Sequence, residues 1–194
     1  MRTVIATLLA APLILVLGAG VVIYSGVYDV AATAPHWPAT AWLLETARSR
    51  SIKALAAFIA VPPGLDDPAK IIIGVEHYAA HCAVCHGAPG VPRGDIAQGL
   101  YPPPPDLAKT APLYTPAELF WVVKHGIKMT GMPAWGVTHD DDLLWDVVAF
   151  VRKLAELTPE QYETLVKNAP KHEDIMQDME MGGGDKQNGK REHE

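Results

Sequence analysis

From Thr3 to Tyr28 no side chain is charged at neutral pH, and Val4 to Ile23 is almost unbroken apolar sequence. A run of that kind supplies the roughly 20 helical residues needed to span a hydrocarbon layer. Pro12, Gly18 and Gly20 do not oppose the reading, because membrane helices tolerate both residue types. The next segment changes character. Thr40 to Ile59 places Leu43, Leu44, Ala47, Ile52, Leu55, Phe58 and Ile59 on a broad apolar side, with Glu45, Arg48, Arg50 and Lys53 elsewhere, which predicts a helix. Trp37 and Trp42 suit the headgroup level of a bilayer. Docking of that helix on the domain that follows is an equal reading.

Val61-Pro62-Pro63-Gly64 stops the helix, and Asp66-Asp67-Pro68 starts another with a cap residue and a Pro in the first turn. This helix is expected from Pro68 to about His81. Gly87 to Tyr114 is rich in Gly and Pro and reads as a loop. Thr115-Pro116-Ala117-Glu118 offers reciprocal backbone capping, and Gly126 closes the helix so begun. Thr138 or His139 precedes a further helix from about Asp140 to Leu154, acidic in its first turn and basic at its end, in keeping with the helix dipole. Thr158 caps a last short helix ending near Asn168.

These periods predict an all-α chain. Residues 1–28 form a transmembrane anchor, 29–65 a connector, 66–157 the main domain, and 158–194 a short helix with a polar, disordered tail. The net charge of −6 argues against nucleic acid, which asks for a clustered basic face. Ala32-Thr33-Ala34 resembles a signal-peptidase site, yet the apolar run exceeds a signal core of roughly 7–15 residues and ends well before Ala34. An uncleaved anchor is therefore expected, with Arg2 on the cytoplasmic side and Asp29 beyond the span.

Chemistry concentrates in Cys82-Ala83-Val84-Cys85-His86. A Cys-x-x-Cys-His run is the attachment site of a c-type haem: two thiols add across the vinyl groups and the adjoining imidazole ligates the iron. A thioredoxin-like pair would want a βαβ pattern around it, and structural zinc would want about four ligands. Cys82 and Cys85 are the only cysteines. The rival readings lack partners. For the second axial position the chain offers Met129 and Met132, with His125 as a bis-histidine alternative. Arg93 and Lys109 are candidates to neutralise propionates. His77, His81 and His139 read as solvated or core-edge histidines. His172, Met176, Met179 and Met181 are soft enough for copper, though a polar tail with scattered Met is the commoner case.

His81-Cys82-Ala83-Val84-Cys85-His86-Gly87, Pro105-Asp106-Leu107, Gly131-Met132-Pro133-Ala134-Trp135 and Val148-Ala149-Phe150-Val151 together resemble the ordered landmarks of the class I cytochrome c family, over about Asp66 to Leu157. The resemblance implies a class I haem domain with one covalent haem c on Cys82 and Cys85. It implies His86 and Met132 as axial ligands and a Pro105 carbonyl that holds the proximal histidine. Trp135 and Arg93 are further haem-contacting candidates. Gly74, Tyr78 and Phe150 match the residues through which the family crosses its first and last helices. Tyr101 followed by four prolines departs from the family's usual glycine before the key proline.

The function implied is one-electron transfer between redox partner proteins, with no catalytic residue required. Bacterial cytochromes c mature outside the inner membrane, so the resemblance implies that everything after Tyr28 is periplasmic. A haem-based sensor or peroxidase-like enzyme with an open distal site is one alternative. An electron-transfer subunit of a larger respiratory oxidase or dehydrogenase complex is another.

Overall fold

The computed structural model describes residues 1–170, apart from the side chains of residues 5, 6 and 8. Secondary structure among the described residues is helical, with a lone bridge between Ala88 and Val91. His172, Met176, Met179 and Met181, the residues soft enough for copper, lie outside the described residues.

Two units are distinct, residues 1–35 and the chain from His36 onward. The first holds helix α1, Arg2–Ser25, which is long and apolar enough to cross a membrane. Gly26, at φ 68°, ends it.

The second unit begins with α2, Pro38–Ala56. It starts two residues before the expected Thr40, because Pro38 is pre-set for the first helical position, and it stops at Ala56 rather than Ile59. α2 packs against α7, Pro116–His125, and buries Ile52 and Ala56. Docking is thus the reading realised for this helix.

α3, Pro68–His77, is capped by the Asp67 carboxylate, which accepts from the Ala69 N–H at 2.9 Å. The expected end near His81 is corrected: a π turn at Tyr78–Cys82 carries the chain into α4, Ala83–His86. The Ala83 N–H reaches back five residues to the Tyr78 carbonyl, so one extra residue is inserted into the helix, as π-bulges do at many functional sites. The region expected as plain loop contains α5, Asp95–Gln98, and α6, Leu107–Thr110.

α7 opens on the capping box of Thr115 and Glu118, and α8, Asp141–Val151, follows. Its cap is Asp140, whose carboxylate accepts from Leu143 N–H at 2.9 Å, not Thr138 or His139. Asp66 ties the two ends of the domain by pairing with Arg152 and Lys153 at 3.6 and 3.3 Å. α9, Pro159–Asn168, carries a second capping box, at Thr158 and Gln161.

The core lies where α3 crosses α8. A Cβ on Gly74 would overlap the Asp146 carbonyl and stand 2.9 Å from the Phe150 Cβ, so only glycine lets the backbones meet there. Tyr78 packs on Phe150 with ring centroids 5.2 Å apart, and Phe120 stacks on Trp145 at 4.1 Å. These aromatics supply much of the apolar area a small domain needs.

Candidate functional site

Cys82 ends the π turn and Cys85 lies within α4, one residue before His86. Both thiols are free and part-buried. Burial, and secondarily the nearby Cys85, pushes the Cys82 thiol up to about 12, so this sulfur is held protonated.

His86 closes α4, and its Nδ1 stands 2.9 Å from the carbonyl oxygen of Pro105. With that nitrogen donating, Nε2 keeps its lone pair for a metal, the arrangement by which ligating histidines are oriented. Burial holds His86 below its ordinary range; the Pro105 hydrogen bond acts against this and the Arg93 charge adds to it. The ring is therefore favoured in the neutral form that coordination requires.

Gly87 turns the chain away at once. Its φ of +71° is unfavourable for any residue with a Cβ, and an added Cβ would lie 3.0 Å from the Val91 carbonyl. The Tyr78 hydroxyl fixes the turn from below by donating to the Gly87 carbonyl at 2.6 Å, and burial raises that hydroxyl's pKa well above the ordinary range. Beside His86 opens a cavity of about 300 Å³, bordered by Tyr78, Arg93, Asp106 and Leu154. Exposed Arg93 thus sits next to His86, whereas Lys109 is engaged with Asp106 at 2.8 Å.

The two candidate methionines differ. Met129 is 89% exposed and has a left-handed φ of 60°. Met132 is part-buried, and its backbone is pinned on both sides: its N–H donates to Thr130 Oγ1 at 3.1 Å and its carbonyl accepts from Ile127 N–H at 3.2 Å. Leu100 closes over Gly131, where an added Cβ would come within 2.6 Å of it. His125 is exposed at the end of α7 and its ring lies against Trp121 at 5.2 Å.

Residues 69–151, from the start of α3 to the end of α8, match the family described as cytochrome C oxidase, cbb3-type, subunit III. Residues 69–151 thus carry a cytochrome c-type domain. No curated protein matches the chain. A cytochrome c-type domain is built for haem-based electron transfer, and the donor set here fits a c-type haem: two free thiols in Cys-x-x-Cys spacing and a neutral imidazole whose second nitrogen is already engaged.

Trp135, a haem-contacting candidate by sequence, stands among three histidines in this cytochrome domain. Its ring centroid is 6.0 Å from His77, 5.2 Å from His81 and 5.3 Å from His139. The histidines read separately in the sequence are one cluster. The four-residue spacing of His77 and His81, which stacks side chains on one helix face, was the available signal; the approach of His139 had none.

Proposed function

We propose that this protein is a membrane-anchored one-electron carrier. Its haem c is attached through Cys82 and Cys85 and ligated by His86 and Met132, and the domain faces the periplasm of a bacterial inner membrane, serving redox partner proteins. The observation that carries the reading is the 2.9 Å contact between His86 Nδ1 and the Pro105 carbonyl, in a histidine directly following Cys85.

Bound haem supplies a ferric/ferrous couple that gains or loses one electron. The chain's own residues set the conditions. Pro105 fixes the orientation and basicity of the His86 ring. The turn over 127–132 pins the backbone of the part-buried Met132, while Met129 is exposed. A His/Met pair fills both axial positions and raises the potential, which suits electron transfer without bond making.

The test is the optical spectrum of the dithionite-reduced, haem-loaded protein before and after carbon monoxide. An unchanged spectrum on mixing is expected, since both axial positions are filled; a prompt shift in the unmodified protein would overturn the assignment. Met132→Ala is expected to keep its haem, to bind carbon monoxide at once, and to lose a tenth or more of the roughly 0.8 V range that axial ligands command. Met129→Ala should leave both properties unchanged.

The description of the matched family as an oxidase subunit supports a second reading of the same chemistry, an electron-entry subunit of a larger membrane oxidase or dehydrogenase. Stable co-purifying membrane subunits after mild solubilisation would favour it. A lone anchored protein would favour a free carrier.

A further inference from the structure

We propose that His77, His81 and His139 form a binding site for one divalent transition-metal cation of the Zn²⁺ or Cu²⁺ class, separate from the haem iron. One ring nitrogen from each residue lies within 4.8 Å of the other two. The ring centroids of His77 stand 4.5 Å from His81 and 4.6 Å from His139, and His81 and His139 are 6.1 Å apart. Three nitrogen ligands at the usual 2.0–2.1 Å from a tetrahedral metal would be roughly 3.4 Å from one another. Modest side-chain rotations separate the observed arrangement from that geometry.

The chemistry of the cluster selects the ligand. His77 is 2% exposed and the other two imidazoles are part-buried beside it, so the cluster gathers nitrogen donors at the edge of the core. Nitrogen donors suit Zn²⁺, Cu²⁺ and Ni²⁺, whereas Ca²⁺ and Mg²⁺ ask for oxygen ligands. The metal-binding cluster is made of histidine alone.

His139 is also oriented as a ligand would be. Its Nδ1 lies 2.7 Å from Thr138 Oγ1 and 3.3 Å from the Trp135 carbonyl, and the Thr138 hydroxyl itself donates to that carbonyl at 3.4 Å. A proton on Nδ1 satisfies all three contacts together and leaves Nε2 for a metal, the same logic by which a second hydrogen bond fixes a ligating ring. Trp135 flanks all three rings, and the part-exposed His81 and His139 leave solvent access for a fourth ligand. A cation there would staple the helix leading into Cys82 to the segment that follows Met132 and Pro133.

The experiment uses the full haem-loaded chain and Zn²⁺ alone as probe. Equilibrium dialysis against micromolar Zn²⁺, read by elemental analysis, is expected to give one zinc per haem. Binding should weaken at least tenfold in both His81→Ala and His139→Ala, and stay unchanged in His125→Ala. Intact Soret spectra and unfolding temperatures in the variants without zinc exclude misfolding as the cause, and buried His77 is left unaltered for that reason. Added Zn²⁺ should raise the unfolding temperature of the parent protein and not of His139→Ala. With Cu²⁺ on the ferric protein, electron paramagnetic resonance should show imidazole nitrogen couplings that disappear in His139→Ala. Undiminished zinc in both cluster variants, no zinc in the parent protein, or a loss produced by His172→Ala instead would overturn the proposal.

Discussion

Asp146 sets burial against ionisation at a single residue. It is 8% exposed, in the middle of α8, and its carboxylate accepts from Lys70 Nζ at 3.1 Å. Burial raises the pKa of the carboxyl, Lys70 draws it back down, and Asp142 and Asp140 raise it further, so that it stays above its ordinary 3.8. A carboxyl raised in the folded state binds more protons there than when unfolded. Its contribution to stability is therefore fully present below the ordinary value and falls as pH rises through the folded one. Lys70→Met removes the one lowering partner and extends that fall toward neutral pH. The variant should be little affected near pH 4 and less stable by about 1–3 kcal/mol near pH 7, the cost of a buried acceptor left without its partner. Thermal unfolding of the haem-loaded protein at the two pH values checks it; an equal loss at both would mean that Lys70 acts through packing alone.

Where α3 crosses α8, the contact between elements depends on one missing side chain. Gly74→Ala would drive a methyl into the Asp146 carbonyl and against Phe150, and backbone cannot yield as a flexible side chain does. The overpacking should cost about 1–3 kcal/mol and lower the unfolding temperature by roughly 5–20 °C. Gly99→Ala, whose nearest neighbour would be at 3.8 Å, is the control expected to differ little. This crossing was legible in the sequence through Gly74, Tyr78 and Phe150. So were the capping boxes at Thr115 and Thr158, because a hydroxyl and a carboxylate or amide three residues apart have a strong local preference. The π turn at Tyr78–Cys82 was not, since one inserted residue is invisible to a periodicity averaged over several turns. α5 and α6 are four residues each, too short to show a period. At the start of α8 a run of possible acceptors from Thr138 to Asp142 concealed which one caps. The Cys82, Cys85 and His86 run was legible because its members are neighbours in the chain; the His77, His81 and His139 cluster was not, because its third member arrives by tertiary folding.

At the scale of the whole molecule, the physical question is whether α1 remains part of the working protein. Its 24 residues rise about 36 Å at 1.5 Å per residue, enough for a hydrocarbon core of about 30 Å. Its charges, Arg2 before the span and Asp29 after it, agree with a cytoplasmic N-terminus. A signal peptide would instead be removed near Ala34, and the two cases differ in mass and in partitioning. The expected outcome is a haem-stained polypeptide of 20.9 kDa plus one haem, which stays in the membrane pellet after an alkaline carbonate wash and is released by mild detergent. In spheroplasts, added protease should digest the haem domain, as a periplasmic orientation requires. A soluble haem protein lacking everything through Ala34 would overturn the anchor while leaving the site at Cys82, Cys85 and His86 untouched. Protection from protease in intact spheroplasts would overturn the orientation alone.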